Sequence, residues 1–211
     1  MGPSEITLAT IIGLAAISFF GWRLLSRRHT LPCPAWLSFL VEMDNPFFES
    51  TRATTVVDNL GLGPGMRVLD AGCGPGRLTM ELAKAVGPSG SVVAIDIQER
   101  MLTRVREKAL RAGVANIDCR QGALGAGAIA GEMFDRAVLS TVLGEIPDRK
   151  AALKEIYAAL RRGGVLAISE TIADPHYQRR STVRDIAQSV GFRETRLLGE
   201  RFAYTLYLEK P

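Results

Sequence analysis

The segment that most constrains the fold is Val68-Leu69-Asp70-Ala71-Gly72-Cys73-Gly74-Pro75-Gly76-Arg77. An apolar strand run passes through D-x-G-x-G-x-G into a stretch, Leu78 to Val86, with helical spacing of its apolar residues. Glycines are needed where the backbone turns sharply and a ligand must approach main-chain atoms with no Cβ in the way. Three at alternate positions after a strand make a ligand platform at the carboxyl end of that strand, where open α/β sheets bind their ligands.

The rest of the chain after residue 50 fits such a sheet. Val68 to Ala71, Val92 to Ile97, Ile117 to Arg120, Ala137 to Leu139 and Val165 to Ser169 read as strands. Leu78 to Val86, Glu99 to Ala112 and Arg149 to Leu160 read as helices, the second closed by Gly113 and the third by Gly163-Gly164, and Gly87-Pro88-Ser89-Gly90 reads as a turn. Strands alternating with helices predict a doubly wound α/β fold with a parallel sheet. The tail departs from this rhythm: a helix from Thr182 to Val190 precedes two strand-like runs, Phe192 to Leu198 and Phe202 to Leu208, separated by Gly199. That ending predicts an antiparallel pair at one sheet edge.

Asp96 ends the second strand, where a carboxylate can accept hydrogen bonds from the ribose hydroxyls of an adenosine ligand. Dinucleotide-binding domains use the same arrangement, so the glycine loop has to discriminate. Counted from Gly72 and Gly74, the dinucleotide fingerprint requires glycine at position 77, which is Arg77. Asp70 adds an acid beside the glycines, able to pair with a cationic amino group.

On these residues the chain from about 50 to 211 resembles the class I S-adenosylmethionine-dependent methyltransferases. VLDAGCGPG resembles that family's first motif, and AIDIQERML its second-strand acid and following helix. LRRGGVLAISE resembles its turn into strand five, with Arg162 in place of a proline. The resemblance implies a Rossmann-like methyltransferase fold with a mostly parallel seven-stranded sheet, and S-adenosyl-L-methionine as cofactor. Asp70, Gly72, Gly74 and Gly76 would cradle its methionine and sugar portions, Asp96 would bind the ribose, and Ile97 and Met101 would lie beside the adenine. Many members carry an acid after strand three that meets the adenine amine. Here the stretch reads Gln121-Gly122-Ala123-Leu124, which leaves adenine to backbone and apolar contacts around Ala123.

The amino-terminal region has its own logic. Ile6 to Trp22 contains no charged residue, and Leu24 and Leu25 extend the run past Arg23. At roughly 1.5 Å per residue such a helix spans about the hydrocarbon thickness of a bilayer. Arg23, Arg27 and Arg28 follow the run whereas only Glu5 precedes it, so the positive-inside rule places the following domain on the cytoplasmic side of a single-pass anchor. His29 reads as an interfacial residue beside Arg27 and Arg28. The expected organisation is an N-terminal transmembrane helix in residues 1–30, a juxtamembrane or lid segment in 31–50 rich in aromatic residues and proline, and the methyltransferase domain in 51–211. Residues 1–30 carry half of the formal excess of +4, leaving a nearly neutral domain that argues against a nucleic-acid partner. Three cysteines at 33, 73 and 119 form no C-x-x-C pair, so neither a metal site nor a disulfide framework is expected.

In this fold the acceptor lies beyond strands four and five. That singles out Glu145 as an acceptor-binding or basic residue, and His176 and Tyr177 as pocket residues able to hold or move a proton. An anchor concentrates a bilayer-resident acceptor, so the implied partners are the lipid bilayer and a lipophilic acceptor of phospholipid-amine or isoprenoid-quinone type. A small-molecule acceptor in the form of a thiol or metalloid is the alternative. A nicotinamide-dependent oxidoreductase and a non-catalytic cofactor-binding module stand further off.

Overall fold

The computed structural model describes residues 47–211, together with Thr10 and Gly21. A 3-10 turn at Glu49–Thr51 leads into α1 (Ala53–Asp58), β1 (Arg67–Ala71), α2 (Arg77–Val86), β2 (Ser91–Asp96), α3 (Glu99–Ala112) and β3 (Ile117–Gln121). The second half runs β4 (Phe134–Ser140), α4 (Arg149–Ala159), β5 (Leu160–Thr171), α5 (Arg180–Val190), β6 (Arg193–Glu200) and β7 (Ala203–Glu209). The seven strands form one sheet in the order β3-β2-β1-β4-β5-β7-β6. β1 to β5 pair in parallel, and β7 runs antiparallel to both β5 and β6.

Helices cover both faces, which is why the central strands are apolar throughout rather than alternating. On one face Val56, Leu60, Leu78, Leu82 and Val86 of α1, its exit and α2 pack on Val68, Val92 and Val138. Leu102 and Val105 of α3 close over Ala94 on the neighbouring strand. On the opposite face Leu153 and Ile156 of α4 and Val183 and Ala187 of α5 meet Leu69, Leu139, Leu166 and Ile168. Strand order reverses between β1 and β4, so the crevice of a doubly wound sheet opens there, beyond the carboxyl ends of these two strands.

The structure corrects two local expectations. Gly163-Gly164 does not close α4: the helix ends at Ala159, and both glycines sit in a bulged entry to β5, where the pairing with β4 slips between Phe134 and Arg136. Instead, Lys210 Nζ reaches over from the carboxy terminus and donates to the carbonyls of Tyr157 and Leu160 at 2.8 and 2.6 Å, placing a cation on the helix end. Gly199 does not separate the last two strands: it lies inside β6, and the chain reverses at Arg201-Phe202. An alanine Cβ at Gly199 would stand 2.3 Å from the Ala203 carbonyl oxygen and 2.4 Å from Ser50 Oγ, so the glycine serves packing of the amino-terminal turn on the sheet. The antiparallel pair expected at one sheet edge is present, with β7 inserted between β5 and β6 and β6 as the edge strand.

The turn at Glu49–Thr51 is knitted to the domain: Thr205 Oγ1 donates to the Ser50 carbonyl at 2.6 Å, and Ser50 Oγ to the Ala203 carbonyl at 3.2 Å. Among the described residues no helix is long and apolar enough to cross a membrane. The apolar run expected to span the bilayer lies outside the described residues, Thr10 and Gly21 apart, as does most of the juxtamembrane segment.

Candidate active site

The glycine loop joins β1 to α2 by three left-handed turns of the backbone, with φ of +72° at Gly72, +51° at Gly74 and +87° at Gly76. The amides of Gly72 and Cys73 both donate to the Ile95 carbonyl, at 2.8 and 2.9 Å, which locks the loop to the neighbouring strand. Gly72 is also sterically required: a Cβ there would lie 2.6 Å from both methyls of Val142, just beyond β4. The loop and the β4 exit are therefore in van der Waals contact across the crevice.

Two acids anchor this region. Asp70, at the end of β1, is 2% exposed, and its carboxylate accepts from Thr79 Oγ1 at 2.6 Å. Burial pushes its pKa up to about 6, against the Thr79 bond and the Arg77 charge, which both pull it down. Asp70 thus ties the loop to the first turns of α2 rather than standing open beside the glycines. Asp96, at the end of β2, is 9% exposed and accepts from the Gly74 amide at 2.9 Å and the Gln98 amide at 2.8 Å, one on each oxygen. Burial raises its pKa, while the amides of Gln98, Gly74 and Ile97 oppose that rise. Each carboxylate oxygen has a second lone pair, so Asp96 can take two further donors such as vicinal hydroxyls.

Beside Asp96 the ends of β2 and β3 are linked by Gln121 Nε2, which donates to the Ile97 carbonyl at 3.0 Å. The Ile97 side chain is half exposed and Ala123 is exposed, so both border open space at the strand ends. Met101, in the first turn of α3, is buried at 2% exposure.

Arg77 occupies the position where a dinucleotide site has glycine. Its guanidinium donates to the Thr51 carbonyl at 3.0 Å and to Ser140 Oγ at 3.2 Å, spanning from the amino-terminal turn to the end of β4. The next residue, Thr141, has a φ of +54° and is the one non-glycine residue with positive φ among the described residues. Such backbone strain gathers at functional sites. Nothing in the sequence marks Thr141 or this use of Arg77, because both depend on which strands become neighbours.

Glu145, His176 and Tyr177 come together on the far side of β4. Glu145 is half-buried in the 3-10 turn Leu143–Glu145, and Arg149 at the start of α4 donates to the carbonyls of Leu143 and Gly144 at 3.2 and 3.3 Å. A Cβ at Gly144 would fall 1.9 Å from the His176 carbonyl oxygen, so the loops after β4 and β5 interlock at this point. His176 is buried at 6% exposure, and its backbone amide donates to Asp174 Oδ1 at 2.6 Å. The Tyr177 hydroxyl donates to the Arg201 carbonyl at 2.5 Å, and its ring meets Tyr204 edge-on at 6.3 Å. Below them lies Glu170, which the sequence reading passed over. Its position at the carboxyl end of β5, matching that of Asp70 on β1 and Asp96 on β2, was the available signal.

Comparison with known proteins now has a geometry to explain. A family model described as a methyltransferase domain matches residues 62–190, from before β1 through α5. The chain belongs to the methyltransferase domain family. The chain is 35% identical over 116 residues to the demethylmenaquinone methyltransferase of Staphylococcus aureus (strain JH9), an alignment covering 55% of this chain and 47% of the relative. The chain therefore spans about half the length of the curated relatives it matches. A SAM-dependent methyltransferase from Aquifex aeolicus superposes with a TM-score of 0.75 at 23% identity, covering 85% of this chain and all of the other. The N-methyltransferase NodS from Bradyrhizobium japonicum WM9, crystallised with S-adenosyl-L-homocysteine, superposes with a TM-score of 0.68 at 22% identity, covering 87% and 95%. The fold of the chain is thus the class I S-adenosylmethionine-dependent methyltransferase fold.

Proposed function

We propose that this protein is a membrane-anchored, S-adenosyl-L-methionine-dependent methyltransferase acting on a lipophilic acceptor, of which an isoprenoid hydroquinone is the favoured type. The observation that carries the reading is the cradle itself: three left-handed glycines, the first packed against the β4 exit and the second donating its amide to Asp96. When bound, the cofactor supplies a methyl group activated on a sulfonium centre. Methyl transfer breaks the carbon–sulfur bond as the bond to the acceptor forms, and the electron pair passes to sulfur. The protein's work is then alignment and, for a neutral acceptor, removal of a proton.

Asp96 would accept from the ribose hydroxyls, and the loop from Gly72 to Gly76 would let the cofactor lie against main chain. Ile97 and Ala123 would flank the adenine. Glu145, His176 and Tyr177 would border the acceptor on the β4–β5 side, where a group that accepts a proton is needed. Arg77 disfavours a nicotinamide cofactor, since its guanidinium holds Thr51 and Ser140 where the fingerprint needs glycine. Metalloid chemistry is disfavoured by Cys73, which is buried in the loop with its thiol pKa pushed far up by that burial.

The acceptor type is favoured by the likeness to demethylmenaquinone methyltransferases. The anchor is favoured by the uncharged run Ile6 to Trp22 and the arginines that follow it, which also favour the cytoplasmic side for the domain. The test is to incubate the full chain in detergent with methyl-labelled cofactor and, in parallel, a demethylated naphthohydroquinone, a membrane phospholipid extract and a soluble thiol. Label in the hydroquinone is the expected result, and label confined to the thiol overturns the reading.

A further inference from the structure

The mechanism leaves one buried polar group unused. Glu170 is 1% exposed, and of its two carboxyl oxygens Oε2 accepts from the Gln178 amide at 2.9 Å while Oε1 has no hydrogen-bond partner. It is the buried side-chain polar atom without a partner among the described residues. A buried oxygen without a partner is destabilising, so packing alone does not account for a carboxyl at this position.

What Glu170 holds gives it a role. Gln178 is the fixed point of the loop between β5 and α5: its amide goes to Glu170 Oε2, its carbonyl accepts from the Tyr204 hydroxyl at 2.9 Å, and its side-chain amide donates to the His176 carbonyl at 2.6 Å. Glu170 and Tyr204 are directly paired across β5 and β7, so together they form a rigid base for that point. The loop they hold carries His176 and Tyr177, and its His176 carbonyl packs against Gly144 of the turn bearing Glu145. All three acceptor-side residues are thus referred, through Gln178, to one carboxyl.

We propose that Glu170 is a positioning residue for methyl transfer, whose buried carboxyl holds the β5–α5 loop against the β4 turn and so sets the acceptor side of the site. This rests on the methyltransferase reading above. The groups facing Glu170 are Arg149 from α4, Glu145 from the β4 turn, Asp174, Tyr177 and the Gln178 amide from the loop after β5, and Tyr204 from β7. Arg149 donates to two carbonyls and forms no ion pair with Glu170. Burial, reinforced by Asp174 and Glu145, therefore keeps the carboxyl neutral well above the ordinary carboxylate range. Ionisation would put an uncompensated charge beneath the loop, which releases as the pH rises through the folded-state pKa.

The experiment compares the full-length wild type with Glu170→Gln and Glu170→Ala in detergent from pH 5 to 9. Amide hydrogen exchange of residues 171–178, corrected for intrinsic rates, is read beside steady-state kinetics with a demethylated naphthohydroquinone. In the wild type, loop protection is expected to fall as pH rises, in Glu170→Gln to be pH-independent, and in Glu170→Ala to be at least fivefold lower throughout. Glu170→Ala should raise the acceptor KM at least fivefold with the cofactor KM within twofold, and Glu170→Gln should restore it. Superimposable pH profiles for wild type and Glu170→Gln overturn the proposal, as does unchanged protection in Glu170→Ala. Exchange needs no turnover, so inactivity of every form on the hydroquinone would refute the acceptor and leave the Glu170 test standing.

Discussion

Replacing Gly72 by alanine tests whether the loop is shaped by its own backbone and by the strand opposite. Two costs combine. Alanine at a φ of +72° pays about 1–2 kcal/mol for the left-handed backbone. Its Cβ would also meet both Val142 methyls at 2.6 Å, an overpacking worth about 1–3 kcal/mol. Together they predict a loss of about 2–5 kcal/mol, a large part of a typical domain's stability. Val142→Ala alone removes two methyls of a half-buried side chain and should cost about 1 kcal/mol. In Gly72→Ala/Val142→Ala the clash with the methyls is gone and the backbone cost remains, so the double variant should be more stable than the additive sum by about 1–3 kcal/mol. Urea unfolding of the four proteins in one detergent buffer gives the cycle. A coupling below about 0.5 kcal/mol refutes the contact between the glycine loop and the β4 exit. A Gly72→Ala variant of unchanged stability refutes the argument about the loop altogether.

Other outcomes follow from the same site. Asp70, raised from 3.8 to about 6, binds its proton more tightly when folded, so its contribution to stability is lost as pH rises through that window, to about 3 kcal/mol by pH 7. Asp70→Asn should therefore match the wild type near pH 4 and exceed it near pH 7 in thermal melts, and parallel curves would contradict the assignment. Asp96→Ala should weaken S-adenosyl-L-methionine binding more than tenfold, over ~1.4 kcal/mol by calorimetry, and unchanged affinity would remove its ribose role. Arg77→Ala should cost about 1.5–3 kcal/mol in unfolding through the lost Thr51 and Ser140 bonds, and an effect within about 0.5 kcal/mol would show that the guanidinium does not join the amino-terminal turn to β4.

The division between what was legible and what was not follows the range of the interactions. Strands β1, β2 and β3 and helices α2 and α3 were visible within a residue or two, because each declares itself by local periodicity and a glycine at its end. Where a long-range partner decides, the local signal misleads. Lys210 caps α4, so Gly163-Gly164 was free to become a strand bulge. Ser50 and Ala203 crowd Gly199, so that glycine marks packing inside β6 rather than a turn.

The site divides in the same way. From the sequence alone came the glycine loop, the two strand-end acids and the mismatch of Arg77 with the dinucleotide fingerprint, since these lie within one βαβ stretch and obey fixed spacing. The tertiary structure alone decided what those residues touch: Asp70 turned onto Thr79, Val142 filling the space above Gly72, and Arg77 spanning to Thr51 and Ser140. It also decided that Glu170 lies buried with one oxygen unpartnered, which no local pattern specifies, because burial and hydrogen-bond satisfaction are set by elements distant in the chain.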